Sequence, residues 1–195
     1  MGLKSMIDLL VIKDFLDATT REEILAEMRL SSGDLAAVYG KQDAGAIDTR
    51  VRKVTRLVIS SGASDRVMRQ LLNCKGAIEE YFGITSSGCE EPQFLRYNTG
   101  DFFVAHQDGN TPLILDDSRL RKVSVVILLN RQSAEPAPDR YGGGALILHG
   151  GYCGPSFHLP LEADPGTLVA FRAETTHEVA PVTHGERYTI VSWYR

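Results

Sequence analysis

The chain has 195 residues, 43% of them hydrophobic and 24% charged, which is enough for one domain with a sizeable core and unlike a disordered or low-complexity scaffold. Its 25 acidic and 21 basic residues leave a net charge of −4, so the positive field that nucleic-acid and anionic-membrane binders use is missing. No run approaches the roughly 20 apolar residues of a membrane-spanning helix, and Met1 to Met6 lead straight into Asp8 without a signal-peptide pattern. A cytoplasmic protein acting on a small molecule, a peptide or another protein is expected.

The first elements read as a strand at Leu9 to Ile12 and a helix from Arg21 to Leu30, opened by a capping box, Thr20-x-x-Glu23, and stopped near Gly33. Residues 34–50 hold two glycines, several small residues and little pattern, which reads as a loop long enough to cover a site or to lie on the surface. Arg50 to Ser60 alternates charged and β-branched residues like a strand. Val67, Leu71, Cys74, Ile78 and Phe82 then form one helical stripe between a Ser64 cap and Gly83, a helix built to pack on a sheet.

From Phe94 the pattern changes to short apolar or alternating runs separated by Gly, Pro, Asp and Asn. Strands are expected near Gln93–Tyr97, Phe102–His106, Lys122–Leu129, Ala145–Leu148, Phe157–Leu159, Thr167–Phe171 and Arg187–Tyr194, with residues 131–144 as the longest loop. Without βαβ alternation these strands point to a sandwich or jelly roll. Cys74, Cys89 and Cys153 are widely spaced and contain no CxxC pair, so they read as reduced structural thiols.

His106-Gln107-Asp108 ends one of these strands, and period 2 places the imidazole and the carboxylate on one face. His177 follows a later strand. Two His and one carboxylate on one side of a metal leave its other positions open, which suits non-heme Fe(II). Arg187, Thr189, Val191 and Trp193 share one face of the last strand, and a guanidinium buried there needs an anion, for which a carboxylate is the matching fork.

The ordered set Tyr97-x-x-Gly100-x-x-Phe103-x-x-His106-x-Asp108, Gly143-Gly144-x-Leu146, His177-Glu178-Val179-x-Pro181-Val182-x-x-Gly185-x-Arg187-Tyr188 and Trp193-Tyr194 resembles the prolyl-hydroxylase branch of the Fe(II)- and 2-oxoglutarate-dependent dioxygenases. The resemblance implies an α+β, mainly β fold: a double-stranded β-helix (jelly roll, cupin-like) with supporting N-terminal helices. It implies one domain over 1–195, with supporting helices and strands in 1–92 and the catalytic core in 93–195. His106, Asp108 and His177 would be the iron ligands, and Arg187 would hold the distal carboxylate of 2-oxoglutarate. Tyr97 would lie beside the co-substrate or the target, and Gly143 and Gly144 would let a strand start close to the site. Trp193 would line its wall, and Arg121 would stand near the substrate.

The implied cofactors are Fe(II), with 2-oxoglutarate and O2 as co-substrates, and ascorbate. The implied reaction is hydroxylation of an unactivated C–H, with a prolyl residue of a protein or peptide as the leading target and a free amino acid or small metabolite as the alternative. Arg187, rather than Lys, is similar to the oxygen-sensing and bacterial enzymes of the branch, whereas Leu128 stands where the oxygen-sensing enzymes carry a Tyr. Two further readings remain open at this point: a zinc hydrolase or isomerase on the same barrel, and a non-catalytic module binding metal or 2-oxoglutarate. His149, His158 and His184 have no carboxylate at ligand spacing and read as bystanders, and Asp101 and Glu178 as solvated carboxylates.

Overall fold

The structure, a computed structural model, describes residues 7–37, 47–112, 114–150 and 157–195. Along the chain run β1 (Leu9–Ile12), α1 (Ala18–Leu30), β2 (Gly33–Leu35), β3 (Arg52–Lys53), β4 (Thr55–Leu57), α2 (Ser61–Phe82), β5 (Gln93–Tyr97) and β6 (Phe102–His106). After a 3-10 turn at Asp117–Leu120 come β7 (Val123–Leu128), β8 (Arg131–Gln132), β9 (Arg140–Gly143), β10 (Leu146–Gly150), β11 (Phe157–Leu161), β12 (Leu168–Arg172), β13 (His177–Val179), β14 (Val182–His184) and β15 (Arg187–Tyr194). They form a seven-stranded sheet, β1-β12-β7-β15-β5-β4-β2, a five-stranded sheet, β11-β10-β13-β6-β3, and a small sheet, β14-β9-β8. Every pairing in the two large sheets is antiparallel.

The seven-stranded sheet is packed on both faces. In β7, Val123, Val125 and Ile127 join Ile24, Met28, Val67, Leu71, Ile78 and Phe82 of the two helices in one core cluster. Val126 and Leu128 face the other way, into a second cluster with Leu146 and Leu148 of β10 and Val179 of β13. Period-2 alternation thus sends successive residues to different cores, and the strand reads as a continuous apolar run because both faces are dry. The expected helical stripe holds: Val67, Leu71, Ile78 and Phe82 are buried and Cys74 packs against them.

Several boundaries differ from the sequence reading. The N-cap of α1 is Asp17, which accepts from the Thr20 amide at 2.9 Å and from its hydroxyl at 2.7 Å. One carboxylate satisfies both groups, and the helix starts earlier than the capping box implied. Ser60, rather than Ser64, caps α2 by accepting from the Ala63 amide, because the Ser64 amide is already committed to the Ser60 carbonyl. The Arg50–Ser60 strand is two strands: at buried Val54 the chain crosses from β3 in one large sheet to β4 in the other. Part of the expected loop at 131–144 is paired as β8 and β9, two residues in parallel register, too short a ladder to leave a periodic signature. Of the 34–50 loop, residues 34–35 belong to β2. Residues 38–46, with any covering role, lie outside the described residues, as does Cys153.

Leu71 is fully enclosed whereas Leu72, one residue on, is 48% exposed. Leu71→Ala is therefore expected to destabilise the protein by about 2–5 kcal/mol, and Leu72→Ala by about 0.5 kcal/mol at most. Urea denaturation midpoints of the two variants check this.

Candidate active site

The site is assembled by strand register. In the β6–β13 pair, His106 and His177 stand directly opposite each other, with ring centroids 4.2 Å apart. Each ring is tied to its own backbone: His106 Nδ1 lies 2.8 Å from the Val104 carbonyl and His177 Nδ1 2.9 Å from the Thr175 carbonyl. A carbonyl can only accept, so Nδ1 carries the proton in both rings and both Nε2 atoms present lone pairs inward. Phe103 stacks on His106 at 3.5 Å, and Phe171 meets the edge of His177.

Asp108 completes the group. It lies just beyond β6, where its amide and that of Gly109 both donate to the Ala173 carbonyl. In the β15–β7 pair Trp193 and Ser124 are register partners, and both converge on Asp108 Oδ2: the Ser124 hydroxyl donates at 2.7 Å and Trp193 Nε1 at 2.9 Å. Asp108 Oδ1 faces His106 Nε2 at 3.4 Å. Among the described residues, His106, Asp108 and His177 are the one group whose three ligand atoms all lie within 4.8 Å of one another.

The electrostatics suit a cation. Burial, followed by the neighbouring His106, pushes His177 down to about 4, so it is neutral near pH 7. For Asp108, burial is the largest influence and acts to raise the carboxyl, but His177, His106 and Trp193 outweigh it and hold the group well below its usual range. Two imidazole Nε2 atoms and one carboxylate, with a side left open, are the donor set of a 2-His-1-carboxylate metal centre. The residues fit such a metal.

Arg187 begins β15 opposite Tyr97 of β5 and is 1% exposed. Its guanidinium lies 5.1 Å from the Tyr97 ring centroid. Among the described residues its side chain makes one long hydrogen bond, 3.4 Å from Nη1 to the Thr189 hydroxyl, and Nε meets no acceptor. No carboxylate among the described residues pairs with it. A buried cation in that condition fits an incoming anion, and it lines the same cavity as His106, Asp108, His177, Thr189 and Trp193. The place of the expected missing hydroxyl is filled in part: Leu128 presents only methyl groups, but its register partner is Thr189, whose hydroxyl is the one touching Arg187. Gly144 has φ +61°, and a Cβ there would sit 3.0 Å from Arg187 Cδ, so glycine is needed where the chain passes the guanidinium.

Outside this cavity a groove of about 240 Å³ runs past His106, lined by Val51, Phe103, Val104, Ile114, Arg121 and Trp193. A larger surface pocket of about 470 Å³, beside Arg131 and Asp164, includes none of the three ligands. Arg121 borders the groove, but Glu90 holds its Nε and Nη2 at 2.8 Å each, and it stacks on Trp193 with its guanidinium carbon 3.6 Å from the ring centroid.

Four participants carry roles that the sequence reading did not assign. Arg52, from β3, is buried over Phe103 and lines both the cavity and the groove. Glu90 acts across long sequence separations, and neither residue leaves a local signal. Thr189 shares the Arg187 face, and Ser124 was a lone hydroxyl in an apolar run, so both were findable. Two expectations are corrected. Asp101 is buried rather than solvated, accepting from the Asn98 backbone at 2.8 Å and pairing with Lys53 at 3.0 Å. His149 does have a carboxylate nearby, Glu178 at 3.7 Å from the adjacent strand, and its ring meets that of His158. Cys74 and Cys89 are half-buried free thiols, and burial pushes both up, Cys89 to about 11, which leaves them poor nucleophiles.

Residues 92–195 match the family model of the 2OG-Fe(II) oxygenase superfamily. A PKHD-type hydroxylase of Paracoccus denitrificans is 30% identical over 180 residues, 91% of this chain and 74% of that protein. The match to a PKHD-type hydroxylase of Burkholderia ambifaria spans only 41% of that protein's length. In fold, the chain is similar to a prolyl-4-hydroxylase of Pseudomonas putida, with a TM-score of 0.70, 23% identity and coverage of 97% of this chain and 92% of that one. It is similar also to a prolyl hydroxylase from Trichoplax adhaerens solved with a hypoxia-inducible-factor degradation-domain peptide, with a TM-score of 0.68, 19% identity and coverage of 96% and 83%.

The depressed His177 has a sign that can be checked. Its folded value, about 4, lies below the ordinary 6.5, so as pH falls from 6.5 towards 4 the unfolded chain takes up a proton that the folded one refuses. Metal-free protein should lose stability across that window, by about 3 kcal/mol at most. His177→Gln should flatten that part of the curve, as measured by urea titrations with chelator at pH 7, 6 and 5.

Proposed function

Because the chain belongs to the 2OG-Fe(II) oxygenase superfamily, we propose that it hydroxylates an unactivated C–H bond, that of a prolyl residue in a peptide or protein, at the His106, Asp108 and His177 centre. The observation that carries this reading is the joint presence of that centre and an unpaired buried Arg187 in one cavity. A hydrolase or isomerase on the same scaffold has no use for the second feature. The two large sheets, which share a core cluster, are read as a double-stranded β-helix. The whole chain is read as one unit, with 93–195 carrying most of the site and 1–92 supporting it, Arg52 and Glu90 included.

Fe(II), with 2-oxoglutarate and O2, supplies the oxidation: the co-substrate becomes succinate and CO2, and one oxygen atom enters the C–H bond. The chain's own residues do the rest. His106 and His177 offer Nε2 because their Nδ1 protons are tied to backbone carbonyls, and Asp108 offers a carboxylate oxygen. Arg187 takes the distal carboxylate of 2-oxoglutarate, with Thr189 steadying the guanidinium and Tyr97 forming the floor beneath it. Val126, Leu146, Val179 and Val191 keep the cavity dry, which strengthens the Arg187 pairing and protects the oxidant from water.

A prolyl ring is apolar and neutral, and the groove beside His106 is lined mainly by Val51, Phe103, Val104, Ile114 and Trp193. Both cations of the groove are engaged, Arg121 by Glu90 and Arg52 by the Ala37 carbonyl and the Phe103 ring, so neither is set out for the α-carboxylate of a free amino acid, which favours a residue inside a peptide. The names of the similar hydroxylases point the same way. The free thiols suit a reducing, cytoplasmic setting. Among the described residues, no helix is long and apolar enough to cross a membrane.

Succinate release under Fe(II), O2 and ascorbate tests the reaction. His106→Ala and His177→Ala should abolish it, and Arg187→Ala should raise the 2-oxoglutarate requirement about 10- to 100-fold. Full turnover by His177→Ala under limiting iron would overturn the assignment. A gain of one oxygen on a proline of a captured peptide, read by mass spectrometry, would identify the target class, and the same gain on free amino acids alone would replace it.

A further inference from the structure

Asp108 is held from outside the metal centre by a chain of contacts that starts in the segment before β5. The Glu90 amide donates to the Trp193 carbonyl at 2.8 Å, and its carbonyl accepts from the Ser192 hydroxyl at 2.6 Å, which pins Glu90 to the end of β15. The Glu90 carboxylate takes Arg121 in a two-pronged pair, 2.8 Å to Nε and 2.8 Å to Nη2, and also Arg195 Nε at 2.7 Å. The Arg121 and Glu90 side chains are only 11% and 15% exposed, so this pair is not the loose surface kind that contributes little. Arg121 in turn lies flat on the Trp193 indole at 3.6 Å, and the indole N–H reaches Asp108 Oδ2 at 2.9 Å.

We propose that Glu90 is a positioning residue for the metal-binding carboxylate, acting through Arg121 and Trp193. The inference rests on the reading of His106, Asp108 and His177 as the metal centre. Its physical basis is that each contact constrains a different freedom. The bidentate pair fixes the plane of the guanidinium. The stacked guanidinium fixes the plane of the indole. The indole N–H and the Ser124 hydroxyl both donate to Asp108 Oδ2 and so fix the orientation of the carboxylate, whose Oδ1 and Oδ2 lie 3.4 Å from His106 Nε2 and His177 Nε2 respectively. Arg121 is thereby a positioning residue as well. Two of its donors and one face of its guanidinium are committed, so it holds the wall of the groove rather than reading substrate.

The test is Co(II) affinity and the Co(II) absorption spectrum of the full chain, without 2-oxoglutarate. Glu90→Gln keeps the side-chain volume but replaces the carboxylate with an amide that cannot accept both prongs of the arginine fork. It is expected to weaken Co(II) binding about 10- to 100-fold and to change the spectrum. Trp193→Phe keeps the stacking surface but removes the N–H, and should do the same. The double variant should lose no more than Trp193→Phe alone, because both changes break one chain of contacts. If Glu90→Gln fails to fold, Arg121→Lys, which keeps the charge and loses the fork, tests the same link from its other end.

Affinity within twofold of wild type in Glu90→Gln, or losses that add in the double variant, would overturn the proposal and leave Glu90 a structural residue. A raised KM for a peptide substrate with unaltered Co(II) binding would also overturn it, returning Arg121 to substrate recognition. His177→Ala is the control for the underlying reading: if it binds Co(II) as wild type does, the metal centre itself is misassigned, whatever Glu90 does.

Discussion

Strand β15 has a neighbour on each edge and a packed layer on each face, so every side chain along it is committed to one of two interiors. Tyr188, Ile190 and Tyr194 close the core under the helices, while Arg187, Thr189 and Trp193 face the cavity. A guanidinium in such a position, with no carboxylate among the described residues to pair it, costs several kcal/mol. That cost is tolerable only because the surrounding cores are large and the site gains an anion when it works. The stability of the helix-facing core thus supports an unfavourable charge on the opposite side of the same strand.

The metal centre follows a similar economy of register. His106 and His177 need no loop to bring them together, since antiparallel pairing of β6 and β13 puts them face to face. Pairing of β15 with β7 does the same for the two donors to Asp108. Because sheet register is set by which residues must be buried, the apolar pattern of the strands also places the ligands. A one-residue slip of β13 would turn buried His177 out to solvent along with Val179, which shares its face.

Dryness gives these polar groups their properties. Burial keeps His177 neutral, hydrogen bonds and neighbouring imidazoles keep Asp108 ionised, and the apolar wall strengthens whatever pairs with Arg187. The same burial makes the centre sensitive to small losses of alignment, which is why residues that touch no ligand, such as Ser124, Thr189 and Glu90, matter to it.

Much of this was readable from local pattern. The stripe of α2, the strands from Gln93 onward, the shared face of Arg187 and Trp193, and the three ligands all leave a signature within a few residues, because strand and helix periods convert spacing into direction. Short pairings such as β8 with β9, and the crossing at Val54, left none. The sequence by itself determined which residue types could hold a metal and an anion, and on which strand faces they stand. Only the tertiary structure decided that Arg187 meets no carboxylate among the described residues, that Asp101 is buried, and that Arg121 belongs to Glu90 and Trp193. Those outcomes depend on side chains that meet from positions far apart in the chain, 31 residues for Glu90 and Arg121, and local periodicity carries no information about such meetings.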